Sequence, residues 1–94
     1  MKKYPLTAKT EKLARLLALA GDPTRLRILC LMYEQEEACV TQISESLGMT
    51  IANISQHLQL MRDNGLCEAE RRGNTICYRL IKNEFTDQLK AIVC

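Results

Sequence analysis

The sequence predicts a mainly α-helical domain with a β-hairpin wing, in the order α-α-α-α-β-β-α, over residues 1–94 as a single domain. Two observations lead to this prediction. Apolar residues recur at helical spacing in four segments, and the last two of these are separated only by Gly48-Met49. Two short extended runs then flank Gly73-Asn74 and precede a final helical segment. This order of elements is that of a winged helix-turn-helix.

Apolar residues at helical spacing predict the first helix over residues 9–20: Leu13, Leu16, Leu17 and Ala20. Gly21 ends this helix. Asp22 is predicted to cap the second helix with Pro23 at its first position, where the missing N–H is not needed. The second helix runs to about Glu34 and is apolar from Ile28 to Tyr33, so we expect it to be central and largely buried. An acidic loop is predicted to follow.

Thr41 is predicted to cap a short third helix that Gly48 ends, and Thr50 to cap a fourth helix that Gly65 ends. The buried stripe of the fourth helix is predicted at Ile54, Leu58 and Met61.

The hairpin strands are predicted at Leu66–Arg71 and Thr75–Leu80. Asn83 is predicted to cap the last helix. One face of that helix carries Phe85, Leu89 and Ile92.

The composition fits a folded protein, with 47% hydrophobic and 26% charged residues, and disorder is not expected. The net charge of +2 alone does not indicate a nucleic-acid binder, but basic residues cluster late in the chain. The early segment MKKYPLTAKTEKLARLLALAG is not a secretion signal, because charged residues interrupt its apolar part. No stretch approaches a membrane span, so we predict a cytoplasmic protein without a membrane partner.

Three segments carry a family resemblance: GDPTRLRIL, ISESLGMTIANISQHLQLMRDNGL and RRGNTICYRL. Their order and spacing resemble the ArsR/SmtB family of bacterial winged-helix repressors over nearly the whole chain. The resemblance implies a homodimer joined through the first and last helices. It also implies binding to double-stranded operator DNA, with release when a metal ion or a reactive small molecule is sensed. A dimer would add the buried surface that so short a chain needs.

Candidate DNA contacts lie on the fourth helix. Asn53 and Gln56 fall opposite its buried stripe and carry amides that can pair with adenine in the major groove. Thr50 and Ser55 lie near the helix start, within reach of phosphates or base edges. Periodicity alone leaves open that these are solvated polar residues and a cap, whereas the resemblance implies base reading. Ile51 stands where the family often has Gln, which favours contact with a thymine methyl and a different operator preference.

The wing tip is predicted to contact DNA through Arg71, Arg72 and Asn74, whose side chains can grip phosphates or enter the minor groove. His57, the one histidine, is interpreted as a packed, hydrogen-bonded residue.

The five cysteines do not form a standard metal site of the family. Cys39-Val40-Thr41 lacks the second thiolate of a Cys-x-Cys pair, and residues 83–94 contain no histidine, so no metal and no cofactor is predicted. A three-thiolate arsenic or cadmium site that uses Cys39 and other cysteines remains the alternative. Otherwise Cys39, Cys67 and Cys77 are expected to pack as small hydrophobic residues rather than in a disulfide framework.

Cys30 and Cys94 are the candidate redox-sensing pair. The persulfide-sensing BigR/SqrR branch of the family has one cysteine in the second helix and one near the end of the last. Cys30 matches the first position well, while Cys94 matches less well because the last helix is about one turn short. Cys30 lies at the edge of the apolar face, where Arg27 is expected to favour its thiolate and Glu34 to oppose it. The open alternative is that Cys30 is core filler and Cys94 a frayed end.

Two other function classes fit the sequence poorly. A thiol oxidoreductase needs a C-x-x-C motif or a cysteine beside a histidine base, and the chain has neither, so no enzymatic activity is predicted. A dimerisation or interaction module that does not bind DNA would not explain the outward amides and the wing arginines. The reading that the residues favour is a dimeric repressor with a reactive sulfur species as inducer.

Overall fold

The computed structural model describes residues 1–94. The chain forms five helices and three strands, in this order: α1 (Ala8–Ala20), α2 (Pro23–Gln35), β1 (Glu37–Cys39), α3 (Val40–Leu47), α4 (Ile51–Asp63), β2 (Cys67–Arg72), β3 (Thr75–Leu80) and α5 (Glu84–Val93). The predicted helices and hairpin are all present. None of the helices is long and apolar enough to cross a membrane.

The segment after α2 was predicted as an acidic loop, and this prediction is wrong. Glu36 adopts a φ of 57° and turns the chain out of α2 into β1. β1 pairs antiparallel with β3, which gives a three-stranded sheet in the order β1-β3-β2. A three-residue strand carries too little alternation to be read from the sequence, and it forms because β3 offers its free edge.

Other element boundaries differ slightly from the prediction. α3 begins at Val40, one residue before Thr41, and Cys39 takes the N-cap position, with its N–H donating to Gln42 Oε1 at 2.9 Å. α4 ends at Asp63, and β2 starts at Cys67 and includes Arg72. Each shift is one or two residues and leaves the turn at Gly73-Asn74 in place.

One hydrophobic cluster of sixteen buried residues holds the helices and the sheet together. Its fully buried members from the two central helices are Ile28, Leu29 and Met32 of α2 and Ile54, Leu58 and Met61 of α4. The predicted stripe of α4 is therefore confirmed. On α1 and α5 the predicted apolar faces are buried only in part. Leu13, Leu17 and Ile92 are 43%, 51% and 81% exposed.

The turn between α3 and α4 sets the direction of α4. Gly48 adopts a φ of 66°, a left-handed conformation that favours glycine. The Met49 N–H then donates to the Ser44 carbonyl at 3.1 Å. Thr50 caps α4 as predicted, since its hydroxyl accepts the Asn53 N–H at 3.1 Å. Local hydrogen bonds thus fix the angle between the two helices.

Candidate functional site

The exposed face of α4 carries the residues predicted to contact DNA. Asn53 and Gln56 are exposed, and Ser55 is half-buried beside them. Ile51 is exposed although it is apolar and lies in the first turn of the helix. The Thr50 hydroxyl already accepts the Asn53 N–H, so it can offer a ligand only its second lone pair and its proton. The fourth helix therefore presents amide and apolar groups together.

The wing tip is exposed at Arg71, Arg72 and Asn74, but the two arginines differ in their surroundings. Arg72 Nη1 lies 2.9 Å from Glu37 Oε2, and its Nη2 lies 3.2 Å from Glu70 Oε2. The hydrogen bond to Glu70 and the charge of Glu37 raise the pKa of Arg72. Arg71 makes no ion pair. The carboxylates that hold Arg72 were not anticipated from the sequence, because they lie on two different strands.

A contact between α2 and α4 was also missed from the sequence. Arg25 Nη1 lies 3.2 Å from Nδ1 of His57, and Arg25 Nε donates to the Leu19 carbonyl. Because a guanidinium only donates, Nδ1 of His57 accepts and the ring proton sits on Nε2. The interpretation of His57 as a packed, hydrogen-bonded residue agrees with this geometry. Arg25 thereby connects the start of α2 to α4.

Cys30 and Cys94 lie side by side within one chain. The Cys94 Sγ is 2.8 Å from the Cys30 Sγ and 3.8 Å from the Cys30 carbonyl oxygen. Cys94 directly follows α5, so the shortness of that helix does not separate the two thiols. Cys30 is half-buried and Cys94 is exposed, which leaves the pair open to a reagent from solvent.

The pKa of Cys94 is raised to about 11, first by partial desolvation of its thiol and then by the hydrogen bond to Cys30 and the Cys30 charge. Glu34 raises it further, and Lys90 opposes these effects. Cys94 therefore remains a thiol at neutral pH and donates its proton to Cys30. Cys30 in turn points its thiol at Glu34 Oε1, 4.0 Å away.

The side chain of Arg27 points away from Cys30. The Arg27 guanidinium lies 3.5 Å from the Thr24 hydroxyl and 3.7 Å from the Met49 sulfur. Arg27 therefore packs against the turn that precedes α4 and makes no contact with Cys30. On the surface of α2, Cys30 has only the acidic Glu34 as its charged neighbour within hydrogen-bonding range.

The remaining cysteines behave in two ways. Cys67 is buried, and burial raises the pKa of its thiol to about 12, so it packs as a small hydrophobic residue as predicted. Cys39 and Cys77 form a disulfide, and the prediction that they pack separately, outside any disulfide, is wrong. Strand β1 places Cys39 directly opposite Cys77, and that strand was not predicted. The available signal was the short apolar run Ala38-Cys39-Val40 after the acidic segment.

No group of three or more His, Cys, Asp or Glu side chains lies close enough together to hold a metal ion. A helix-turn-helix with an exposed amide-bearing α4, followed by a basic hairpin tip, defines a DNA-binding regulator of the winged-helix class. The sequence profile described as "Bacterial regulatory protein, arsR family" matches residues 22–69. The chain therefore belongs to the arsR family, and it is a transcriptional repressor of that family, whose members are DNA-binding transcriptional regulators.

Individual proteins agree with this assignment. The HTH-type transcriptional regulator YgaV of Escherichia coli K12 is 35% identical over 86 residues, which cover 92% of this chain and 86% of YgaV. The antimony-specific transcriptional repressor AntR superposes with a TM-score of 0.83 at 25% identity, over 97% of this chain and 81% of AntR. The transcriptional repressor BigR from Xylella fastidiosa superposes with a TM-score of 0.76 at 27% identity, over 89% of this chain and 82% of BigR. Dimers are typical of the family.

Proposed function

We propose that this repressor is a homodimer that binds operator DNA while Cys30 and Cys94 are reduced and releases it when a reactive sulfur species joins them. The observation that carries the proposal is the 2.8 Å separation of the two sulfur atoms at a site that solvent reaches. Two thiols at this distance need no large movement to form a covalent link. The similarity to BigR supports the repressor assignment and leaves the inducer to be tested.

The chemistry requires a donor of sulfane sulfur, such as a low-molecular-weight persulfide. Cys30 takes the outer sulfur of the persulfide, becomes a persulfide itself and releases the donor as a thiol. The Cys94 sulfur then attacks the inner sulfur of Cys30, and hydrogen sulfide leaves. The two protein thiols are oxidised to a disulfide, and the sulfane sulfur is reduced to hydrogen sulfide. Cys94 is exposed and its sulfur lies 2.8 Å from that of Cys30, so it can reach the inner sulfur once its thiol has lost its proton.

Helix α2 connects this reaction to the DNA-binding surface. Cys30 lies in the middle of α2, and a link to Cys94 would fix α5 against that point. Tyr33, one turn later, already donates its hydroxyl to the Thr86 carbonyl of α5. At the other end of α2, Arg25 contacts His57 of α4. A shift in free energy of only about 1–3 kcal/mol between two positions of α2 is sufficient for regulation.

We assign the operator contacts to α4 and the wing. Asn53 and Gln56 would read base edges in the major groove, and Ile51 would contact a thymine methyl. Phosphates or adjacent groups would be held by the other predicted residues: Thr50, Ser55, Arg71, Arg72 and Asn74. The exposure of the two amides on the side of α4 away from the core supports this assignment.

The dimer would form through α1 and α5. Their exposed apolar side chains are Leu13 and Leu17 on α1 and Ile92 on α5, with Leu6 just before α1. Apolar groups left uncovered on two elements of a small domain favour burial against a second copy. The two α4 helices would then enter the major groove about one DNA turn (~34 Å) apart. A monomer in sedimentation velocity at micromolar concentration, with and without DNA, would contradict this arrangement.

A metalloid is the second candidate inducer, favoured by the similarity to AntR, which is antimony-specific. The Cys30–Cys94 pair would supply two thiolates, and a third ligand would have to come from elsewhere, including a second copy of the chain. The two candidates differ in product, because a metalloid leaves the sulfur atoms in their reduced state.

The test uses the parent protein together with Cys30→Ser and Cys94→Ser. Fluorescence anisotropy on labelled DNA from the protein's own upstream region is measured before and after exposure to glutathione persulfide, antimonite or arsenite, and peptide masses are mapped on the same samples. We expect persulfide to release DNA from the parent protein but from neither variant, and the parent to carry a Cys30–Cys94 cross-link afterwards. Cys67→Ala, which removes a buried thiol with a pKa of about 12, is the control and should respond as the parent does. Release of both serine variants by persulfide would refute the proposal, and release by antimonite without a cross-link would favour the metalloid.

A further inference from the structure

We propose that Cys39 and Cys77 are a second oxidation site, a reversible dithiol–disulfide pair that controls how firmly the wing is held against the helix-turn-helix unit. The structure contains this disulfide, and the strand register pairs the two residues directly. Cys39 is the last residue of β1 and the N-cap of α3, whereas Cys77 lies in the middle of β3. The bond therefore joins a wing strand to the residue at which the helix-turn-helix begins.

The non-covalent attachment of β1 to β3 is small. Glu37–Cys39 is a three-residue strand, and its ladder pairs only three positions with β3. A pairing this short is not stable without further contacts. Opening the disulfide would leave β1 with its short ladder, the buried Ala38 side chain and the ion pair of Glu37 with Arg72. The oxidation state of Cys39 and Cys77 therefore changes a substantial share of the interactions that attach β1 to β3.

The same face of the sheet carries the ion pairs of the wing arginine. Side chains two residues apart share a face of a strand, so on β1 Glu37 lies on the same face as Cys39. On β2, Glu70 pairs with Cys77 and therefore lies on this face, as does Arg72 two residues later. The link between Arg72 on β2 and Glu37 on β1 therefore crosses β3 on the face that carries the disulfide. A change in the position of β1 moves Glu37 and alters how Arg72 is held.

The two sulfur atoms have unequal access to solvent, which assigns their roles. Cys39 is half-buried, whereas Cys77 is 1% exposed. An oxidant of the hydroperoxide class would react with Cys39, which becomes a sulfenic acid as the hydroperoxide is reduced to an alcohol or water. The Cys77 thiol then attacks the Cys39 sulfur, the S–S bond forms and water leaves. Overall, two thiols and one hydroperoxide give the disulfide, one alcohol and one water, and an external dithiol reverses the oxidation.

This site shares no residue with the Cys30–Cys94 pair, and the inference does not rest on persulfide sensing. The test is made on full-length Cys30→Ser, in which the first pair cannot close, and on Cys30→Ser/Cys39→Ala. Each protein is reduced with dithiothreitol, oxidised with hydrogen peroxide and reduced again. Operator affinity is measured by anisotropy in each state, and the Cys39–Cys77 bond is quantified by peptide mass.

We expect the operator affinity of Cys30→Ser to change by about fivefold or more between the two states, and to return on reduction, while the double variant shows no change. An equal affinity in the reduced and oxidised states, or a bond that dithiothreitol does not reduce, would mean that the pair is a permanent structural disulfide and would overturn the proposal. If circular dichroism shows that the double variant does not fold, reduced Cys30→Ser alkylated at Cys39 takes its place. The alkylated protein must then show no response to peroxide.

Discussion

Replacing Arg71 with alanine should weaken binding to every DNA sequence alike and reduce the salt dependence of that binding. Arg71 is exposed at the wing and makes no ion pair, so its guanidinium is available to a phosphate. Loss of one phosphate contact lowers the slope of log K against log salt by about 0.9. Over a fourfold range of salt, from about 50 to 200 mM, the loss of affinity should be about 3.5-fold larger at the low-salt end.

Arg72→Ala is the matched comparison. To reach a phosphate, Arg72 must give up Glu37 at 2.9 Å and Glu70 at 3.2 Å, so its net contribution to the slope should be smaller than that of Arg71. Its removal also leaves the two carboxylates without their cation near the DNA. Glu70→Gln should have the opposite effect and strengthen binding, because it releases Arg72 from one partner.

Anisotropy titrations of the operator and of a scrambled duplex, at four or more salt concentrations, measure both effects. Gln56→Ala is the control for sequence reading: it should cost about 1–3 kcal/mol on the operator, blur the preference over the scrambled duplex and leave the slope unchanged. The reasoning fails if Arg72→Ala lowers the slope more than Arg71→Ala does, or if either arginine variant alters sequence preference while Gln56→Ala does not.

Three other predictions follow from local geometry. Gly48→Ala should lower the free energy of unfolding, measured in urea, by about 1–2 kcal/mol. The φ of Gly48 is 66° and an added Cβ meets no atom within 4 Å, so backbone strain is the only cost. Gly48→Asn should cost less, and equal costs would contradict this reasoning. Tyr33→Phe removes the hydroxyl bond to the Thr86 carbonyl and should cost about 0.5–1.5 kcal/mol, with slower Cys30–Cys94 cross-linking under persulfide; an unchanged midpoint and rate would argue against the contact. The rate of Cys94 alkylation by iodoacetamide should rise with pH, with a midpoint near pH 11, because the raised pKa keeps the thiol protonated below that pH. In Cys30→Ser the midpoint should move part of the way down toward 9.0. An unmoved midpoint would exclude a contribution of Cys30 to the pKa.

The elements that the sequence predicted well are those fixed by neighbours along the chain. Asp22 and Pro23 start α2, Gly48 turns the chain after α3, and Thr50 caps α4, each through contacts within a few residues. The helical period alone separates the buried Ile54 stripe from the outward Asn53 and Gln56. The outward surface of α4 was predictable for this reason, because one periodicity defines both the buried and the exposed face.

Other features of the site depended on contacts between distant segments. The sequence placed Arg71 and Arg72 together at the wing tip, and nothing local distinguishes them. Only the folded sheet brings Glu37 of β1 within reach of Arg72, which leaves Arg71 as the free cation. The family resemblance singled out Cys30 and Cys94, but it did not fix their distance, and the short α5 argued against a close approach.

The sequence by itself determined the order of the helices, the turn that joins α3 to α4, the hairpin and the outward face of α4, because hydrogen bonds and side-chain periodicity over a few residues encode them. Tertiary structure alone decided the strand β1, the Cys39–Cys77 bond and the 2.8 Å approach of Cys30 to Cys94. These pairs are 38 and 64 residues apart in sequence. No local pattern reports such a contact, because it depends on how the packing of α2, β3 and α5 on one core brings distant backbone segments together.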